Sequence, residues 1–246
     1  MANILILICM HLLGDFYFQT SKMAKCKNAL ISDACGKCKK CKKGDWINAK
    51  FLCIHSLIYM IPFLLLFSLT DWINAIMMIA VLGFVHGLID FFTCFIKHKL
   101  KQTIAFLADQ TLHIVSIAAV VKILTFKSGL DEYYVCVKTI CALLALIMPC
   151  SIIVSKLLKD IYPEVEERGI FDVGSMIGVM ERIMTVIFAY LGNFAAIAII
   201  ISVKTWARND DLKGEQNKDF RNKYLLGTLS SLVLALILFV LYDKVL

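Results

Sequence analysis

Proline and charge are both scarce in this chain: there are 3 prolines in 246 residues, and charged side chains make up only 18%. No polar stretch is long enough to fold as a soluble domain. A separate soluble module is therefore excluded, and residues 1–246 are expected to form one domain with short loops. The first segment lacks a basic leader and a small-residue cleavage site, and it carries a His/Asp pair. It is expected to be a retained first helix rather than a removed signal peptide. The serines of GTLSS (227–231) have no histidine near them in sequence, so nothing argues for a serine nucleophile. No nucleic-acid partner is expected.

What the chain has in abundance is apolar sequence, at 60%, with a mean hydropathy of +0.78. Several runs with few or no charges approach the roughly 20 residues needed to cross a hydrocarbon core. They fall at about 2–19, 51–70, 73–96, 103–125, 134–154, 176–203 and 224–242. The expected fold class is all-α, a polytopic transmembrane helical bundle of about seven helices. Six to eight are open, because Gly192-Asn193 could divide the long sixth run in two.

The net charge of +7 is unevenly placed. Residues 20–50 hold nine lysines against two aspartates, and KHKLK at 97–101 adds three more lysines on the same side. The positive-inside rule makes these loops cytoplasmic and puts the N-terminus outside. The lysines of 20–50 should draw that loop onto anionic headgroups, making membrane lipids the expected partner. One segment disagrees. Residues 204–223 carry Lys204, Arg208, Lys213, Lys218, Arg221 and Lys223, yet seven crossings place them outside. Either that loop breaks the bias, or the sixth run turns back on itself.

Three His/Asp pairs lie inside apolar runs, each with four-residue spacing: His11/Asp15, His86/Asp90 and Asp109/His113. On an α-helix such residues share a face, with Cβ atoms about 5–6 Å apart. An aspartate at the centre of a membrane helix costs about 2.5–3.5 kcal/mol on insertion scales, so three of them need a reason. The loops after the first and third spans must share a membrane face. Asp15, Asp90 and Asp109 lie about four to six residues from those loops, hence about 6–9 Å below that face at 1.5 Å per residue. The paired histidines lie one turn deeper, and His55 enters the second span from the same face. A single layer in one leaflet therefore collects His11, Asp15, His55, His86, Asp90, Asp109 and His113. The bland alternative is a set of Asp–His pairs that only glue helices together; the shared depth argues for a common site.

Imidazole with carboxylate suits borderline divalent ions, Zn²⁺ first and Mn²⁺ or Fe²⁺ next, better than Mg²⁺ or Ca²⁺. Seven ligands are enough for one ion with supporting partners or for two adjacent ions. Asp15, Asp90 and Asp109 are also the candidate general bases. Glu181-Arg182, inside another apolar run, is a further catalytic candidate, with a purely structural pairing as its rival. Gln19, Lys22 and Gln110 are candidates to orient substrate or water. In the basic loop, Cys26, Cys35, Cys38 and Cys41 give C-x8-C-x2-C-x2-C, spacing that fits a second, structural zinc. The other six cysteines lie in apolar runs, where the side chain behaves as a small hydrophobe.

HLLGDFYFQ (11–19) with a following lysine, HGLID (86–90) and DQTLH (109–113) resemble a family of polytopic bacterial membrane proteins known as domain of unknown function 3307. IGVMER (177–182), SVKTWAR (202–208) and KYLLGTLSS (223–231) are similar to its longer members, whereas the cysteine-rich insert departs from the pattern. The resemblance implies a helical membrane fold in a bacterial inner membrane and no particular activity. By analogy, the His/Asp motifs are similar to those of membrane-bound metal-dependent hydrolases. The leading expectation is a membrane-embedded metal-dependent hydrolase acting on an amphiphilic phosphorylated or esterified substrate at the cytoplasmic leaflet. The rivals are a divalent-metal or proton transporter and a non-catalytic scaffold whose Asp–His pairs are helix glue.

Overall fold

The structure is a computed structural model describing residues 2–20, 23–24, 46–97, 99–124, 126–165, 172–213 and 218–245. Lys22 and the four loop cysteines, Cys26, Cys35, Cys38 and Cys41, lie outside the described residues. Among those described, the elements are all helical. The main ones are α1 (Ala2–Leu12), continued by a π-helical turn Leu13–Tyr17; α2 (Trp46–Tyr59), continued by a 3₁₀ stretch Pro62–Ser68; α3 (Trp72–Lys97); α4 (Gln102–Ile123); α5 (Tyr134–Ile161); α6 (Val173–Tyr190); α7 (Phe194–Ala207); and α8 (Lys218–Val240). Six helical segments are long and apolar enough to cross a membrane, while Ala2–Tyr17 and Phe194–Ala207 are shorter apolar helices. The protein is an integral membrane protein with an all-α fold. Packing divides it into two compact units, 1–144 and 145–246, with the boundary inside α5.

In the first unit an apolar core forms from Leu7, Met10, Tyr59, Phe63, Leu66, Met78, Leu82 and Ile117. Asp71 starts α3 as its N-cap, accepting from the Asn74 backbone N–H at 3.2 Å, which satisfies one of the free donors of the first turn. The Asn74 backbone and side-chain amides hold the Asp71 carboxyl below its usual range. The run expected at 51–70 changes character at Pro62. Proline cannot continue the α-helical hydrogen-bond ladder, and the chain tightens into 3₁₀ geometry through Ser68.

Gly14 sits within the π-helical turn of α1 where α2 comes closest. A Cβ there would lie 2.7 Å from the Tyr59 carbonyl oxygen and 3.1 Å from its Cα, both backbone atoms that cannot rotate away. Gly14→Ala should therefore push the two helices apart and destabilise the first unit by about 1–3 kcal/mol. Thermal unfolding of the detergent-solubilised protein checks this; an unchanged melting temperature would show that the contact tolerates a methyl group.

In the second unit the run expected at 176–203 is two helices. The Asn193 N–H donates to the Phe188 carbonyl at 2.8 Å and the Gly192 N–H to the Ala189 carbonyl at 3.1 Å, with Gly192 at φ +68°. This is a Schellman stop, which needs a left-handed residue where glycine stands. Asn193 then caps α7, its side-chain oxygen accepting from the Ala196 N–H at 3.2 Å. The chain turns back, α7 packs against α6, and α6 packs against α8. Lys223 near the start of α8 meets Glu164, beyond the end of α5, at 2.6 Å.

Candidate metal centre

Four helices of the first unit place their polar side chains in one buried layer. On α3, His86, Asp90, Thr93 and Lys97 follow spacings of four, three and four, a single stripe along one helix face. Asp109, Gln110 and His113 come from α4, His55 and Tyr59 from α2, and His11 with Asp15 from α1 and its π-helical turn. His11, His55, His86, Asp90 and His113 are at most 1% exposed, and Asp15 and Asp109 are 6% and 5% exposed.

The contacts centre on His55. Its Nε2 lies 3.0 Å from His86 Nε2, 3.2 Å from Asp15 Oδ1 and 3.3 Å from Asp90 Oδ2; His86 Nε2 is 3.5 Å from that same Asp90 oxygen. Ligands at 2.0–2.2 Å from one ion stand about 3.0–3.5 Å apart in octahedral or tetrahedral geometry. The ligand atoms of Asp15, His55 and His86 all lie within 4.8 Å of one another, and Asp90 Oδ2 stands against both histidines at separations typical of a coordination-shell edge. A second group lies beside it: His113 Nε2 is 3.9 Å from Asp90 Oδ1 and 4.0 Å from Asp109 Oδ1. A third set of ligand atoms within 4.8 Å of one another belongs to His11, His86 and His113. His11, however, has a neighbour at each ring nitrogen: Tyr59 OH lies 3.3 Å from Nδ1 and Gln110 Oε1 3.2 Å from Nε2.

The π-helical turn changes how the first pair works. π-Helical turns are rare and gather at functional sites. Through this one, Asp15 meets His55 of α2 and accepts from Gln110 Nε2 at 2.9 Å. Gln110 also donates to Asp109 Oδ2 at 3.3 Å, so it ties α1 to α4 within the protein, whereas the sequence suggests a substrate or water contact for it. Gln19 is half-buried beyond the turn.

Three residues of the site escape the sequence reading. Tyr59 stacks on His86 with ring centroids 3.6 Å apart and planes at 4°. Thr93 Oγ1 donates to Asp109 Oδ1 at 2.7 Å. Lys97 Nζ approaches the same oxygen at 3.1 Å from a position 22% exposed. Thr93 and Lys97 extend the His86/Asp90 stripe, and following its period past Asp90 would have found them.

Glu181 and Arg182 are bound to partners within the second unit. Arg182 is buried; its Nε donates to the Leu146 carbonyl at 2.9 Å, Nη1 to Ser231 Oγ at 2.9 Å, and Nη2 to the Ile147 carbonyl at 3.3 Å and to Ser151 Oγ. It thereby ties α6 to α5 and α8 beside Pro149, where α5 lacks a backbone donor. Glu181 pairs with Lys204 of α7 at 2.6 Å. These contacts describe helix fastening, the structural rival to the catalytic role considered for the pair.

The sequence model of a family described as "Protein of unknown function (DUF3307)" matches residues 4–35 and 34–140, a stretch that includes every member of the cluster. Neither a curated protein nor a solved structure matches the chain.

Proposed function

The chain belongs to the DUF3307 family, whose description carries no activity, and from the cluster itself we propose a membrane-embedded metal-dependent hydrolase acting on an amphiphilic phosphorylated or esterified substrate. One observation carries the reading. His55 Nε2 and His86 Nε2 lie 3.0 Å apart, with Asp15 Oδ1 against the first and Asp90 Oδ2 against both at 3.2 to 3.5 Å, all buried. Two imidazoles and two carboxylates suit Zn²⁺ first and Mn²⁺ or Fe²⁺ next.

In the reaction a divalent ion supplies Lewis acidity. Asp109, the carboxylate paired with the half-buried Lys97, takes a proton from the attacking water. The water oxygen bonds to phosphorus or to the ester carbon, the bond to the leaving oxygen breaks, and the proton passes to that oxygen. The products are an alcohol and a phosphate or carboxylic acid.

The packing disfavours a transport pathway. Along each helix, on the side of the histidines away from the aspartates, come apolar residues: Leu7 on α1, Phe63 and Leu66 after α2, Met78 and Leu82 on α3, and Ile117 on α4, all within one packed core. An ion path needs polar groups at further depths.

The bacterial inner membrane is the proposed location, with the N-terminus outside. Counting crossings along the chain with the α6–α7 hairpin included brings residues 204–223 to the same side as 20–50 and 97–101. The basic segments then agree with the positive-inside rule.

The test is the metal content of detergent-purified protein, measured by elemental mass spectrometry with Cys26, Cys35, Cys38 and Cys41 changed to serine. That background removes any ion held by the loop. About one or two equivalents of a transition metal are expected, and they should vanish in a further His86→Ala/His113→Ala variant. Protein that carries no metal after gentle purification and takes none up on titration would refute the proposal.

A further inference from the structure

We infer that the cluster is built for two divalent ions bridged by Asp90, and that this pair selects a dianionic phosphate group over a neutral ester. The inference rests on the metal reading above and adds to it the number of ions and the class of substrate.

The two oxygens of Asp90 serve different neighbours. Oδ2 faces His55 and His86 at 3.3 and 3.5 Å, the two histidines that group with Asp15. Oδ1 faces His113 Nε2 at 3.9 Å, and that nitrogen is 4.0 Å from Asp109 Oδ1. Asp90, Asp109 and His113 form a group of mutually close ligand atoms distinct from that of Asp15, His55 and His86. His113 is 1% exposed, and its Nε2 has no hydrogen-bond partner. A buried ring nitrogen aimed into a gap between two carboxylates calls for an explanation, and a second ion provides one. The gap is about 0.5 Å wider than a tetrahedral edge at normal bond lengths, a difference that side-chain rotation can close. A carboxylate bridging through both oxygens suits ions about 3.5–4 Å apart, the spacing of two-metal phosphoryl-transfer sites.

Charge then selects the substrate. Among the described residues the layer holds three carboxylates, Asp15, Asp90 and Asp109, and one ammonium, Lys97. With one dication these described groups sum to zero charge and have no preference for an anion. With two they carry two positive charges in a buried setting, where unbalanced charge is costly, and a phosphate dianion restores neutrality. The second ion also competes with Lys97 for Asp109 Oδ1. Its arrival releases an ammonium at the rim of the site, where it can meet a phosphate oxygen.

The test uses the full chain with the four loop cysteines changed to serine. Mn²⁺ is titrated and counted by elemental analysis and by electron paramagnetic resonance, and binding of inorganic phosphate is then measured calorimetrically. Two equivalents with an exchange-coupled signal are expected, falling to one uncoupled ion in both His113→Gln and Asp109→Asn. Phosphate should bind the two-ion protein at least tenfold more tightly than either variant. One equivalent in the parent, unchanged by His113→Gln, would overturn the bridged pair while leaving a mononuclear centre standing. No bound ion at all would overturn both. Equal phosphate affinity for the one-ion and two-ion forms would overturn the substrate selection.

Discussion

Changing Asp109 to asparagine should lower turnover by about 10²–10⁴-fold, the range for losing a positioned general base, in a protein that still inserts and folds. The fold should survive because asparagine keeps the shape and one carbonyl oxygen. That oxygen can still accept the 2.7 Å hydrogen bond from Thr93. Lys97 loses its counterion, but at 22% exposure it can turn toward water and headgroups. The assay is phosphate release from vesicles containing a lipid phosphate monoester, with gel filtration and thermal unfolding as controls. Full activity in this variant would sink the hydrolase assignment. Metal content separates the two ways in which Asp109 can serve. Loss of a base alone leaves the ion count unchanged, whereas loss of a ligand lowers it by one.

The polar layer was legible because membrane sequence makes polarity conspicuous. Against 60% apolar residues, a His/Asp pair at helical spacing stands out, and alternating spans fix relative depth without any knowledge of packing. His55, with no aspartate near it in sequence, could be placed by depth alone, and it is the residue on which the contacts converge. Partner choice was not legible. The spacing pairs His11 with Asp15, but the π-helical turn at Leu13–Tyr17 and the close approach at Gly14 bring Asp15 to His55 instead. Tyr59, in the same helix as His55, reads as an ordinary apolar-run aromatic until its ring is seen lying on His86. The end of α6 shows the same division. Gly192-Asn193 marks a break, but only the paired Schellman hydrogen bonds and the Asn193 cap make it a hairpin. Arg182 stands out as an intramembrane charge. Its acceptors include two carbonyls beside Pro149, and sequence spacing alone cannot reveal acceptors in another helix.

Chelation and the Asp90→Asn substitution should have opposite effects on stability. A ligand that binds only the folded state stabilises it by about 2.7 kcal/mol at a concentration one hundred times its dissociation constant. For a chain of this length that corresponds to about 5–10 °C in melting temperature. Stripping the parent protein with a chelator should lose that increment and leave three carboxylates together in one buried layer. Asp90→Asn should abolish the response to added metal, since Asp90 stands against His55 and His86 through one oxygen and His113 through the other. In metal-free buffer, however, it should melt above the metal-free parent. The substitution removes the most deeply buried of the three negative charges, at 1% exposure, and burying a charge costs more than burying an amide. The His55 and His86 nitrogens at 3.3 and 3.5 Å can still meet the amide's polar atoms. The measurement is a pair of melting curves for each protein, with and without metal. Crossing of the two proteins' order is expected: parent above variant with metal, variant above parent without. A structural Asp–His glue predicts the reverse in metal-free buffer, where losing Asp90 would cost stability and added metal would restore nothing.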